Sequence, residues 1–172
     1  MAYHEAAQPK QKHPARPAWS VEQARNAFLA ENGFTLEAYE APWTPAEIIG
    51  IRFKVPNTPR HRWAIRLHDL HHVALGYGTD LMGEAETAAW ECRSGLGPLG
   101  LYTGAIVLSL ALLGLVLAPR RTVWAWRRSQ GLSLFHVGKY RYAELLLLSV
   151  VELRSLVGIP PAGLAEGTRR TL

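Results

Sequence analysis

From Ser94 to Pro119 the chain carries no acidic, basic or histidine side chain, and such a stretch leaves a protein few ways to fold. Its heart, Leu101 to Ala118, is nearly all aliphatic and reaches the lower limit of length for crossing a bilayer as a helix. A helix that is apolar all round is otherwise buried. Three placements follow: a core helix, the wall of a lipid tunnel, or a single span at 101–118. Directly after it stand Arg120, Arg121, Trp124, Trp126, Arg127 and Arg128, an aromatic and cationic mixture suited to the headgroup layer of an anionic membrane surface. The whole chain, with 19 Lys and Arg against 14 Asp and Glu, carries a formal charge of +5. Its charge favours anionic partners, and the adjoining apolar run selects lipid over nucleic acid.

At 172 residues the chain is of single-domain length, and one cysteine, Cys92, excludes an internal disulfide framework and points to a reducing compartment. Residues 1–18, proline-rich and with scattered histidine and lysine, read as a flexible tail. Residues 161–172 read as another, and 19–160 as one helical domain. Ser20 and Gln23 form a capping box for a helix ending near Asn32-Gly33. Thr44, Pro45 and Glu47 predict a second, short helix through a hydroxyl cap, a proline at the first position and an early carboxylate. After the break at Pro56 to Pro59, a helix is expected to run to about Leu75, where Gly76-Tyr77-Gly78 ends it. Thr79 or Asp80 caps the next, which continues to Arg93. A last helix is expected from about 139 to 157. Strand pattern is scarce, so the fold class is all-α: a compact helical domain with an antiparallel helical hairpin and a long apolar helix.

The first helix of that hairpin carries the chemistry. At about 100° per residue, His68 and His72 lie about 40° apart and one turn apart in height, a spacing that grips one ion. Asp69 lies about 60° from His72, within reach of the same point. Glu84 follows the turn by about as many residues as His72 precedes it, so two antiparallel helices bring them level. His68, Asp69, His72 and Glu84 are therefore the expected ligands of a divalent metal, zinc by preference with iron as the alternative. His61 shares the His68 face two turns away and is expected to line a pocket or face water. His71, pointing aside, and Glu91, two turns beyond Glu84, are expected to support ligands or substrate. Arg66 and Arg62 are candidates to steer an anionic ring or a phosphate.

His68-Asp69-Leu70-His71-His72, then eleven residues, then Glu84, matches H-D-x2-H-x11-E and resembles the fourth protein of ubiquinone (coenzyme Q) biosynthesis, the Coq-four family. Gly83-Glu84, Trp90-Glu91 and Glu152-Leu153-Arg154 before Gly158-Ile159-Pro160 add to the likeness. The resemblance implies a mostly helical, membrane-associated protein with a divalent ion on the motif residues and a bound polyprenyl lipid. It further implies oxidative removal of the C1 carboxyl of a polyprenylated hydroxybenzoate, a lyase-like ring modification. The partners it implies are a polyprenyl lipid or quinone precursor and other enzymes of quinone biosynthesis; the basic collar adds an anionic membrane surface, and a homodimer is a further expectation.

Against this stand three other classes. A non-catalytic lipid carrier or scaffold would use the metal as a staple. A His-Asp phosphohydrolase calls for an aspartate far downstream, and no Asp follows Asp80. A membrane desaturase calls for two further histidine boxes that the chain lacks. The expected location is the cytoplasmic side of a membrane, peripheral rather than spanning.

Overall fold

The computed structural model describes residues 18–48, 51–138 and 140–165. Among them run seven α-helices and one two-stranded sheet: α1 (Val21–Glu31), β1 (Trp43–Ile48), β2 (Ile51–Pro56), α2 (Pro59–Leu75), α3 (Leu81–Ser94), α4 (Gly100–Leu117), α5 (Pro119–Arg128), α6 (Tyr142–Leu147) and α7 (Val150–Leu156). Short 3-10 turns lie at Leu36–Tyr39, Gly97–Leu99 and Leu134–His136. The expected all-α character holds. The expected N-terminal tail falls outside the described residues except for Ala18, as does the C-terminal one from residue 166 onward.

The central helix is α2. Thr58 caps it by accepting the His61 N–H at 3.2 Å, Pro59 occupies the first turn, and the Gly76 N–H closes its end on the His72 carbonyl at 2.8 Å. Asp80 caps α3 by accepting the Gly83 N–H at 3.1 Å. Gly83 is required by space: a Cβ there would stand 2.0 Å from the Gly78 carbonyl oxygen, so the α2–α3 turn folds down onto the first turn of α3. The helix carrying Glu84 is thereby held close under the one carrying His72. Trp90 of α3, Leu70 and Leu75 of α2, Leu99, Leu145 and Leu153 form the fully buried centre.

The long apolar helix presents two unlike sides. Thr103, Gly104, Val107, Ala111 and Gly114 are buried, and a Cβ at Gly114 would meet Ala85 at 2.6 Å and Thr122 at 2.7 Å, so α4 lies hard against α3 and α5. Leu101 (92% exposed), Leu108, Leu112, Leu115 and Val116 (78%) point outward. Small residues face the protein and large aliphatic ones face away. By length and composition the segment Gly97–Leu117 is able to cross a membrane.

Three expectations are corrected. The helix expected at Thr44 is instead β1, antiparallel to β2 in the register Trp43↔Pro56 to Ile48↔Ile51. Ile51, Phe53 and Val55 alternate with Arg52 and Lys54 in the period of a strand, which gives the Trp43–Ile48 segment a pairing partner. The single last helix is two, with Lys139 outside the described residues. Ser149 breaks it with a capping box in which Ser149 Oγ accepts the Glu152 N–H at 3.2 Å and Glu152 accepts the Ser149 N–H at 2.7 Å. The Ser149 break lets the Val150 N–H reach the Trp19 carbonyl and the Val21 N–H reach Leu148, tying α1 to α7. Residues 161–165 are packed rather than tail. Leu164 is buried and its N–H meets the Leu75 carbonyl at 2.8 Å, while buried Arg154 reaches the Ala74 carbonyl at 2.8 Å and the Pro161 carbonyl. Carbonyls at the end of α2 recruit this segment as their cap.

Candidate metal centre

The α2 and α3 side chains meet in antiparallel order: His72 and His68 face Glu84, and farther along His68 and His71 face Glu91. The expected hairpin register therefore holds, and Glu84 is level with His72. His68, His72 and Glu84 each offer a ligand atom within 4.8 Å of the others.

Hydrogen bonds at the outer nitrogens decide what the inner ones present. The Leu134 N–H donates to His71 Nε2 at 3.0 Å, so the His71 proton sits on Nδ1 and is donated to Glu91 Oε1 at 2.6 Å. The same oxygen accepts His68 Nδ1–H at 2.8 Å. His72 Nδ1–H faces the Tyr77 carbonyl at 3.3 Å, with Thr87 Oγ1 at 3.4 Å. With both rings neutral, the remaining Nε2 atoms carry lone pairs; they stand 3.0 Å apart, with Glu84 oxygens 3.1 Å from His68 Nε2 and 3.5 Å from His72 Nε2. Three converging acceptors repel one another unless a cation, either a proton on His68 Nε2 or a metal ion, lies among them.

The distances suit such a cation. Nitrogen ligands about 2.1 Å from a tetrahedral ion stand about 3.4 Å from one another, close to the 3.0–3.5 Å found here. The electrostatics favour positive charge at the same point. Burial alone would push the His68 imidazole down, but the carboxylates of Glu91 and Glu84 outweigh it and hold it well above the usual histidine range. Burial would push Glu84 up, yet His72 and His68 together draw it far below the usual carboxylate range. His71 is lowered by burial and stays neutral, as its role as an acceptor from Leu134 requires. The residues fit a divalent ion.

Asp69 is not brought into this group. Its Oδ2 accepts the Tyr39 hydroxyl at 2.5 Å, although the carboxylate lies near enough to feel His68, His72 and Glu84. Among the described residues three candidate ligands converge, His68, His72 and Glu84. Arg66 pairs with Glu40 and lies over the Tyr39 ring at 5.5 Å, and Arg62 meets Glu40 at 3.2 Å, so both arginines brace the segment that supplies Tyr39. His61 is buried, edge-on to Tyr102 at 5.9 Å. Glu91 and His71 are buried and joined to each other, and Glu91 also meets His68.

Tyr39, Tyr77, Thr87, Leu134 and Phe28, which stacks on His72 at 5.3 Å, escaped the sequence reading. Of these only Tyr77, inside the glycine turn, carries a local signal; the others reach the site from segments far apart in the chain. No protein-family model matches the chain, and neither a curated protein nor a solved structure matches it.

Proposed function

We propose that the protein is a membrane-associated, metal-dependent enzyme of ubiquinone (coenzyme Q) biosynthesis, acting in the oxidative removal of the C1 carboxyl from a polyprenylated hydroxybenzoate. The observation that carries this reading is the convergence of His68 Nε2, His72 Nε2 and Glu84, in a sequence motif whose resemblance supplies the substrate class. A metal that merely staples two helices calls for four protein ligands in a closed shell, whereas a catalytic one keeps a position open. Three ligands, with the His68 and Glu84 side chains 20% and 26% exposed, favour the catalytic case over a lipid carrier with a structural metal.

Zinc or iron held by His68, His72 and Glu84 would supply a Lewis acid for a phenolate or carboxylate oxygen of the ring. Exchange of carboxyl for hydroxyl is an oxidation, so the oxidant, dioxygen or another acceptor, comes from outside the chain. The protein's own groups hold the arrangement. Glu91 and His71 fix the His68 ring, Tyr77 and Thr87 fix His72, and Phe28 shields one face of His72 from water. Tyr39, pushed far up by burial and by the neighbouring Asp69 charge, keeps its proton and donates it to Asp69.

The outward aliphatic side of α4 suits a prenyl tail or the acyl boundary, and Arg120, Arg127 and Arg128 beside Trp124 and Trp126 suit an anionic headgroup layer. Because the other side of α4 is packed on α3 and α5, a peripheral seat on the cytoplasmic surface is favoured over a span. The test is metal analysis of the full-length protein beside Glu84→Ala, with extraction of bound lipid and turnover of a prenylated hydroxybenzoate. Stoichiometric metal and turnover in the wild type, both lost in the variant, are expected. A wild type free of metal would overturn the proposal.

A further inference from the structure

His61 is 6% exposed, and among the described residues neither of its ring nitrogens has a hydrogen-bond partner. The position is unusual. A buried imidazole carries a donor and an acceptor, and each left unmet costs free energy that a phenylalanine of similar shape would not incur. Packing alone therefore does not account for histidine here. Its ring lies on the face of α2 that carries the candidate ligands: at about 100° per residue His61, His68 and His72 fall within one arc of about 40°, with His61 two turns before His68. Ala64 and Ile65 lie between them on that side. Against it packs Tyr102, whose ring meets His61 edge-on at 5.9 Å and whose hydroxyl donates to the Pro56 carbonyl at 3.1 Å. Tyr102 and its neighbour Leu101 begin the outward aliphatic side of α4. A second unmet buried acceptor, Asn57 Oδ1, belongs to the same end of α2.

We propose that His61 positions the substrate, its imidazole hydrogen-bonding a hydroxyl or carboxyl oxygen of the aromatic ring while the apolar tail runs out along α4 past Leu101 and Tyr102. The role rests on the substrate class proposed above and deepens it. A ring oxygen held by His61 places the head of the molecule on the stripe of α2 that carries the ligands, and the start of α4 gives the tail its exit. His61 is a positioning residue and not a metal ligand, since two helical turns, about 10 Å along the axis, separate it from His68.

The test uses the zinc-loaded, full-length protein in detergent micelles, titrated calorimetrically with 4-hydroxybenzoate bearing a geranyl chain at C3. His61→Phe keeps a ring against Tyr102 and removes both nitrogens. It is expected to lose about tenfold or more in affinity, with metal content unchanged and a melting temperature equal to or above that of the wild type. His61→Gln, which restores a donor and an acceptor, is expected to recover part of the affinity. Wild-type affinity in His61→Phe would overturn the assignment. So would a fall in melting temperature of both variants in step with their affinity, which marks a packing role. Failure of the wild type itself to bind the probe would overturn the substrate class, and this role with it.

Discussion

Glu91→Gln removes one charge from the candidate metal centre and leaves its shape nearly intact. In the wild type a single oxygen, Glu91 Oε1, accepts both His68 Nδ1–H and His71 Nδ1–H, and the other, Oε2, meets no partner among the described residues. A glutamine carbonyl can keep both contacts, with its amide taking the place of Oε2. What changes is the field across the His68 ring. An ion beyond that ring stands on the order of 6 Å from the Glu91 carboxylate, and at an effective dielectric of about 20 each unit of charge there gains about 3 kcal/mol from it. The ion competes with a proton, because Glu91 and Glu84 hold His68 above its usual range. A divalent ion exceeds that proton by one charge, so about 3 kcal/mol is the upper estimate for the loss, roughly a hundredfold in affinity. Orienting partners of metal-bound histidines typically contribute 10- to 100-fold, on the same scale. Competition with a chromogenic chelator at pH 7.5 measures the affinity, and the circular dichroism melt checks the fold. A Gln variant that binds zinc within twofold of the wild type, with an unchanged melt, would refute the view that Glu91 tunes the site through His68.

Gly83→Ala places a Cβ 2.0 Å from the Gly78 carbonyl oxygen, so the α2–α3 turn must move and carry Glu84 with it; metal affinity and melting temperature should fall together, whereas Gly138→Ala, with open space around it, should spare the metal. Wild-type affinity in the Gly83→Ala variant would show that the turn does not set the height of Glu84. The Cys92 thiol is pushed up to about 11 by burial and the Glu91 charge, from 9.0. Its thiolate fraction near pH 8 is thus about a hundredfold below that of a free thiol, and iodoacetamide labelling of the folded protein should be slow at pH 8 and rise with pH until about 11. Labelling at the rate of a free cysteine would contradict this.

Helix boundaries were legible wherever a cap was written in adjacent residues. Ser20 with Gln23, Thr58 with Pro59, and Asp80 before Gly83 each place a hydroxyl or carboxylate within reach of an orphan N–H, an interaction that needs nothing from the rest of the chain. Two misreadings arose where two local signals competed. Thr44-Pro45-Glu47 has the grammar of a helix start, but the alternation in Ile51 to Val55 offers β1 a partner, and pairing with it prevails. In the leucine-rich run after Tyr142, helical propensity favours continuity, yet Ser149 and Glu152 cap each other and Val150 bonds back to Trp19. The signal was present in the Ser-x-x-Glu spacing; its winning depended on a residue 131 positions away, as the Val150–Trp19 numbering shows.

Within the site the same division separates Glu84 from Asp69. Glu84 was legible because a short glycine turn leaves two helices little freedom, and counting outward from that turn predicts which residues are level. Asp69 is a different case. Its position on α2 is as well determined as that of His68, but a carboxylate on a short stem chooses among partners nearby, and the deciding one is the Tyr39 hydroxyl, supplied by a 3-10 turn 30 residues upstream and braced by Glu40 with Arg62 and Arg66. That choice bears directly on chemistry. If Asp69 joined His68, His72 and Glu84 the ion would be enclosed by four protein groups, and the open position needed by a substrate oxygen would close. With Asp69 held aside, a metal on His68, His72 and Glu84 would keep an open position with a buried acid close by, and the tyrosine that holds it lies in a segment that carries no motif of its own.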